Sequence, residues 1–306
     1  MHGHDHGHND HAHTREGEVG LKGAFFLNLG FTVVEIVGGI LTNSVAILSD
    51  AVHDFGDSIT LAVSWYLERY STREPTERQT FGYKRFSLMG ALLSALVLLV
   101  GSVFILLEAV PRLWNPEQVD PKGMLPLAVV GITVNLIAAL RLRSGKKLNQ
   151  RVILLHLVED ILGWVGVLIV SIILLFVDLP ILDPILSIAI TVFVLSRIIP
   201  HLRRTLRVFL QYAPDDIEMK EVKARLAEIE DIKEVHDVHL WSLDGNYTLF
   251  SAHIVLARNT DLAEQEEIKK RIKAVLKSMQ IQHATLEFEP SAAACAECDI
   301  HPAEEN

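Results

Sequence analysis

Hydrophobic positions along this chain gather into six blocks separated by short polar breaks, at about residues 21–41, 45–66, 86–110, 124–142, 152–176 and 181–199. A helix needs about 20 apolar residues to cross a bilayer core of roughly 30 Å. Each block approaches or meets that length, so the pattern predicts six membrane-spanning helices. Beyond residue 210 the pattern changes. Residues 215–230 and 261–279 repeat apolar positions at helical spacing, whereas 233–243, 247–256 and 282–289 alternate as strands, the first two joined across Asp244-Gly245-Asn246. The order αββαβ predicts a ferredoxin-like, metallochaperone-like sandwich.

Several blocks carry polar groups that hydrocarbon does not tolerate without a reason. His156 and Asp160 stand four apart in the fifth block, and His53 and Asp57 repeat that spacing in the second. Groups at i and i+4 share one helix face. If the two helices face each other they offer two nitrogens and two carboxylates, a four-donor shell suited to a tetrahedral divalent cation such as zinc. Asp50 and Asp54 continue the stripe of His53 and Asp57, where they line an access path or hold hydrogen bonds to the ligands. Asn28 and Glu35 lie in the first block, and Glu35 reads equally as a functional carboxylate or as a protonated, hydrogen-bonded structural group. In the third block Gly90, Ala91, Ser94, Ala95 and Gly101 allow close helix packing or a dimer face.

Composition agrees with the membrane reading: half of the chain is hydrophobic, with a mean hydropathy of +0.29. The loops decide orientation. Arg69, Arg73, Arg78, Lys84 and Arg85 follow the second block, and Arg141, Arg143, Lys146, Lys147 and Arg151 follow the fourth, against Arg112 and Lys122 in the opposite loops. The positive-inside rule puts the basic loops and both termini in the cytoplasm. The expected fold is therefore an α-helical membrane protein of six transmembrane helices plus a C-terminal cytoplasmic α+β domain. The boundaries are a His-rich disordered tail over 1–19, a membrane domain over 20–209, the cytoplasmic domain over 210–290 and a tail over 291–306. The net charge of -10 and the lack of a basic stripe exclude nucleic-acid binding. The first twenty residues are too polar for a cleavable signal peptide.

Two further sets of residues can hold metal. His2, His4, His6, His8, His11 and His13 sit among Gly, Asp and Asn, which reads as a metal-gathering tail, a solvated tail without function or a tag remnant. In the C-terminal domain strand parity puts Phe250, Ala252, Ile254 and Leu256 with Ala284, Leu286 and Phe288 on the core side. It leaves His253, His283, Glu287 and Glu289 on the opposite face, with His236 and His239 on the first strand. That face suits a metal or ordinary exposed polar groups. Cys295 and Cys298, the only cysteines, form a C-x-x-C pair with His301 nearby, either half of a zinc site or a thiol pair in a loose tail.

The segments ILSDAVHDFGDS, FGYKR, HLVEDILGWVGV and VHDVHLWSLDGNYTLFSAHIVL resemble the cation diffusion facilitator family of zinc transporters, in particular the bacterial cobalt-zinc-cadmium resistance type and the vesicular zinc transporters of animals. The resemblance implies a homodimer in a lipid bilayer, here a bacterial inner membrane, that exchanges cytosolic zinc for protons. It places the transport ligands on His53, Asp57, His156 and Asp160, and a histidine at the first of these positions goes with zinc over cadmium. It places a cytoplasmic metal site on His236, His253, His283 and Glu289, with Cys295 and Cys298 matching the tail of the vesicular members. Zn2+ is thus both cargo and a possible regulatory ion. Two features depart from the family. Phe86-Ser87 stands where an acidic residue often follows the FGYKR-like segment, and residues 67–85 hold no histidine, so the loop metal site of some bacterial relatives is not expected.

Physical chemistry supplies the exchange. Ionised Asp57 and Asp160 are costly in low dielectric without a cation, and metal binding requires deprotonated ligands, so zinc and protons compete for the same atoms. No enzymatic activity is expected. A metal-sensing membrane protein leaves the paired intramembrane motifs unexplained. An intramembrane zinc hydrolase needs an open coordination position that four ligands do not leave.

Overall fold

A computed structural model describes residues 10–71, 75–142 and 148–289; some side chains within helices, that of His156 among them, are described by backbone alone. The chain forms two compact units, one holding most of the long helices and one holding residues 74–88 with the C-terminal part.

The membrane unit is built from α1 (Asp10–Thr42), α2 (Val45–Ser71), α3 (Arg85–Arg112), α4 (Pro121–Leu142), α5 (Leu148–Phe176) and α6 (Leu182–Phe209). Five of these, all but α2, are long and apolar enough to cross a membrane. The exception follows from composition, because Asp50, Asp54 and Asp57, with Glu68 and Arg69 further along, put charge into every stretch of α2 long enough to span. Its placement shows that it runs along α1 through the same depth: Asn28 of α1 donates from Nδ2 to the Asp54 carbonyl at 2.9 Å and to Ser58 Oγ at 3.1 Å. Helix α1 starts at Asp10, inside the segment expected to be disordered. The physical reason is that extending an existing helix costs little per residue, and Ala12, Arg15, Glu16 and Glu18 are tolerant helix formers. Residues 1–9 lie outside the described residues.

The α1–α2 turn is tight because Asn43 takes a left-handed φ of 54°, a conformation Asn tolerates better than most residues. Arg112, at the end of α3, donates to the Asn43 carbonyl and to Asn43 Oδ1, both at 3.0 Å, placing a cation at the C-terminus of α1 where the helix dipole favours it. Ala46, Ile47, Met124, Ala128, Trp164, Val167 and Val170 make the buried core of α2, α4 and α5. Trp164 fits because position 131 is glycine, where a Cβ would sit 2.3 Å from the indole. The small residues of α3 serve its packing on α2: a Cβ at Gly101 would lie 2.4 Å from Val52.

The second unit contains α7 (Met219–Ala227), β1 (Ile232–Ser242), β2 (Thr248–Leu256), α8 (Leu262–Ser278) and β3 (His283–Glu289), the expected αββαβ order. The sheet order is β1-β2-β3, with β1 antiparallel and β3 parallel to β2. The β1–β2 turn uses Gly245 at a φ of 94°, and Asp244 Oδ1 accepts from the amides of Asn246 at 2.8 Å and Tyr247 at 2.7 Å. Helix α8 opens on a capping box in which Asp261 accepts from the Glu264 amide at 2.8 Å and Glu264 accepts in return from the Asp261 amide at 3.1 Å. The side of β2 expected to be core is so: Phe250, Ala252, Ile254 and Leu256 are buried with Ile268, Ile272 and Leu276 of α8. Beside this core the Arg271 guanidinium, and Arg258 after it, hold the Asp231 carboxyl below the usual carboxylate range.

Candidate metal sites

In the membrane unit the H-x-x-x-D motif of α2 meets Asp160 of the motif on α5. His53 Nε2 of α2 lies 3.8 Å from Asp57 Oδ2 on its own helix and 3.8 Å from Asp160 Oδ1 of α5. Zinc bonds of about 2.0–2.1 Å at tetrahedral angles put neighbouring donors roughly 3.3 Å apart. These separations exceed that edge only slightly, so small side-chain movements would close the shell. Asp160 is buried, and His53 and Asp57 are partly accessible. The backbone of α5 carries His156 one turn before Asp160; its side chain is outside the described residues. Asp50 and Asp54 are more buried than the two ligand candidates of α2. On α1, Glu35 is fully buried beside Asp54 and within electrostatic range of Asp50 and Asp160. The stripe read from α2 therefore spans two neighbours: Asp54 meets Glu35 of α1, whereas Asp50 Oδ1 also lies against α5, 3.3 Å from where a Cβ at Gly163 would sit.

In the C-terminal unit His236, His253 and Glu289 bring one donor atom each to within 4.8 Å of one another. The register makes this possible: His236 pairs with His253 across β1 and β2, and Val255 pairs with Glu289 across β2 and β3. His253 Nδ1 is 2.9 Å from Glu289 Oε1, and His236 Nε2 is 3.4 Å from Glu289 Oε2. Among the described residues those last two atoms are buried without a hydrogen-bond partner, as expected of a donor set shaped for a cation rather than for mutual hydrogen bonding. A bulge completes the site. Asp237 adopts a φ of 46° where the β1–β2 register slips between His236 and His239, so that His236 and His239 share a face. The Asp237 carboxylate is 3.5 Å from His253 Nε2 and 3.1 Å from His239 Nε2. Glu287 also reaches His253 Nε2, at 3.6 Å.

His283, expected in this cluster, stands elsewhere. It pairs with Leu249 at the start of β3, four residues from the level of His253, or about 13 Å along the sheet. Its ring meets Phe81 edge-on with centroids 5.9 Å apart, close to where Lys84 lies 3.5 Å over the Tyr247 ring. The FGYKR segment thus packs on the C-terminal domain, and His283 shares a strand face with the cluster but not its position. Cys295 and Cys298 lie outside the described residues, as do the first four histidines of the N-terminal tail.

Comparison with known proteins agrees with the fold. The cation efflux transmembrane domain matches residues 21–210, and the cation efflux protein cytoplasmic domain matches residues 214–291. The chain belongs to the cation efflux, or cation diffusion facilitator, family. Curated relatives span nearly its full length. The cadmium, cobalt and zinc/H(+)-K(+) antiporter of Bacillus subtilis is 32% identical over 291 residues, 94% of this chain and 92% of the relative. The metal cation efflux system protein CzcD of Cupriavidus metallidurans is 34% identical over 292 residues, 94% and 91% of the two chains. The zinc transporter ZitB of Escherichia coli is 32% identical over 283 residues, 91% and 89%. As a family member the protein is an integral membrane transporter.

Sequence reasoning missed two contributors. Asp237 was hidden because the bulge that aims it depends on the paired strand. Asp183 is fully buried at the start of α6, and its signal in the sequence, an Asp just before Pro184 at the head of an apolar block, reads as an ordinary helix start.

Proposed function

We propose that this protein exports Zn2+ from the cytoplasm in exchange for protons, using His53, Asp57, His156 and Asp160 as the transport site. The observation that carries the reading is the approach of His53 on α2 to Asp160 on α5, which turns two separate helix motifs into one donor set of mixed nitrogen and oxygen type. Two carboxylates balance one divalent cation, and the same carboxylates and imidazoles take up protons when the metal leaves. The relatives named as zinc transporter and as cadmium, cobalt and zinc antiporter support the cargo and the counter-ion. The basic connections after α2 and α4 support an orientation with both termini and the C-terminal domain in the cytoplasm of a bacterial cell, the transporter lying in the plasma membrane as a homodimer.

His236, His253 and Glu289 form the core of a second, cytoplasmic zinc site in this reading. Three protein donors leave one position of a tetrahedral shell for Asp237, water or a ligand from outside the described residues, such as Cys295 or Cys298. This site holds zinc for regulation rather than passing it on. A metal sensor without transport does not account for the donors inside the membrane, and an intramembrane hydrolase would need a coordination position for water that the four-donor membrane site does not leave.

The deciding experiment is zinc-dependent proton flux in proteoliposomes of the full chain, run across Zn2+, Cd2+, Co2+, Ni2+ and Fe2+. Zinc should drive proton movement opposite to its own. Zinc uptake without proton counterflow would overturn antiport.

A further inference from the structure

Helix α6 contributes no transport ligand, yet it grips both ligand helices through charged side chains at opposite ends. At its start Asp183 is fully buried. Its carboxylate accepts from Ser44 Oγ at 2.5 Å, from the Val45 amide at 2.8 Å and from the Ala46 amide at 3.4 Å. These are the first amides of α2, so a residue of α6 caps the helix that carries His53 and Asp57, where a negative charge is most favourable. The seam continues at helical spacing. Ser187 donates to the Val45 carbonyl at 3.2 Å, and Thr191 and Ser49 hydroxyls meet at 2.9 Å, one turn before His53. Past Thr191 the helix changes partner: Val194 and Ile198 pack with Ala95 and Leu98 of α3. Arg197 then pairs with Glu159 at 2.5 Å, the residue beside Asp160 on α5.

We propose that Asp183 and Arg197 are positioning residues for transport, through which α6 sets the placement of α2 and α5. The Asp183 clamp closes the end at which α6 begins, the far side under the orientation proposed above. Charge-assisted hydrogen bonds buried away from water are strong and hard to replace, so the exit opens only when this clamp parts. Arg197 holds the neighbour of Asp160 in the other half of the membrane. The proposal rests on the transport reading but predicts accessibility independently of it.

The test uses the full chain in proteoliposomes with Cys295 and Cys298 replaced by Ser and one reporter, Ala46→Cys or Ala128→Cys, both at buried positions. A membrane-impermeant maleimide is applied from the face at which α6 starts. Asp183→Ala should raise labelling at Ala46→Cys roughly tenfold, the scale of one lost hydrogen bond to a charged group. Labelling at Ala128→Cys should not change, and zinc turnover should fall. Asp183→Asn keeps one acceptor oxygen and should lie between, as should Ser44→Ala, which removes one donor. Arg197→Gln should slow turnover without raising Ala46→Cys labelling. Unchanged labelling in the Asp183 and Ser44 variants, or an equal rise at both reporters, overturns the clamp. A rise at Ala46→Cys in Arg197→Gln overturns the division between the two ends. Should the unsubstituted chain fail to move zinc, the transport reading falls, while the labelling still decides whether the clamp exists.

Discussion

The two candidate metal sites use similar donors on different supports. In the membrane unit, His53, Asp57 and Asp160 come from two helices, and the separations of 3.8 Å are loose. In the C-terminal unit, His236, His253 and Glu289 come from three adjacent strands of one sheet, with closest separations of 2.9 and 3.4 Å. A sheet laced by backbone hydrogen bonds resists relative movement of its strands, and rigid elements hold a preorganised donor set. Two helices joined by side-chain packing shift more readily. The difference teaches that a donor set built on separable elements suits binding followed by release, and one built within a single sheet suits retention. In the proposed reading the same groups, His and carboxylate, therefore serve cargo in one place and regulation in the other.

The strongest way to break this comparison is at the transport site. Asp57→Ala and Asp160→Ala should each abolish zinc transport in proteoliposomes carrying a proton gradient; wild-type rates in either variant would remove the membrane site from the comparison. Next is the sheet site. Zinc at about a hundredfold above its dissociation constant stabilises a single-site protein by about 2.7 kcal/mol. Thermal unfolding of the C-terminal domain in the full chain should show that gain, and His253→Ala or Glu289→Gln should lose it while transport continues. His283→Ala should keep it, and its loss would return His283 to the ligand set. A smaller effect is expected when Cys295 and Cys298 are replaced by Ser: zinc affinity or stability should shift, and transport should persist. A dead transporter would place the pair in the pathway.

The smallest effect lies outside both sites and serves as a control. The Asp231 carboxyl is held low by Arg271 and then Arg258. A folded-state value below the unfolded one contributes stability above the ordinary carboxylate range near pH 4, lost as the pH falls through the folded value. Arg271→Ala should lower the urea midpoint of the domain slightly at neutral pH, the gap from wild type closing in acid. Zinc-induced stabilisation should be the same in both, and a change there would tie this edge of the domain to the metal cluster.

Much of this was readable along the chain. Helical and strand periodicity reports local burial, so the long helices and the αββαβ order appear in the pattern. The second block shows in the pattern too, although Asp50, Asp54 and Asp57 make α2 less apolar than the membrane-crossing stretches of the other five long helices. The N-terminal helix extends further than composition suggests, since helix propagation from the first span outweighs weak local preference. Positions 53, 57, 156 and 160 declare themselves because an ionisable group in an apolar block is costly unless it faces a partner, an ion or water. On the sheet, parity named the correct face, but a face of a strand is long, and it could not separate His283 from His253.

The sequence by itself determined which helices exist, which carry the donors and which surfaces of the small domain are core. Those properties depend on neighbours within a few residues. The tertiary structure decided what depends on register and on pairing between distant segments. The β1 bulge turned His236 and Asp237 towards His253, the β2–β3 register brought Glu289 to them and sent His283 to Phe81, and packing put Asp183 of α6 on the first amides of α2. These placements rest on contacts between residues up to 139 positions apart, and no local pattern encodes which distant partner a buried carboxylate will find.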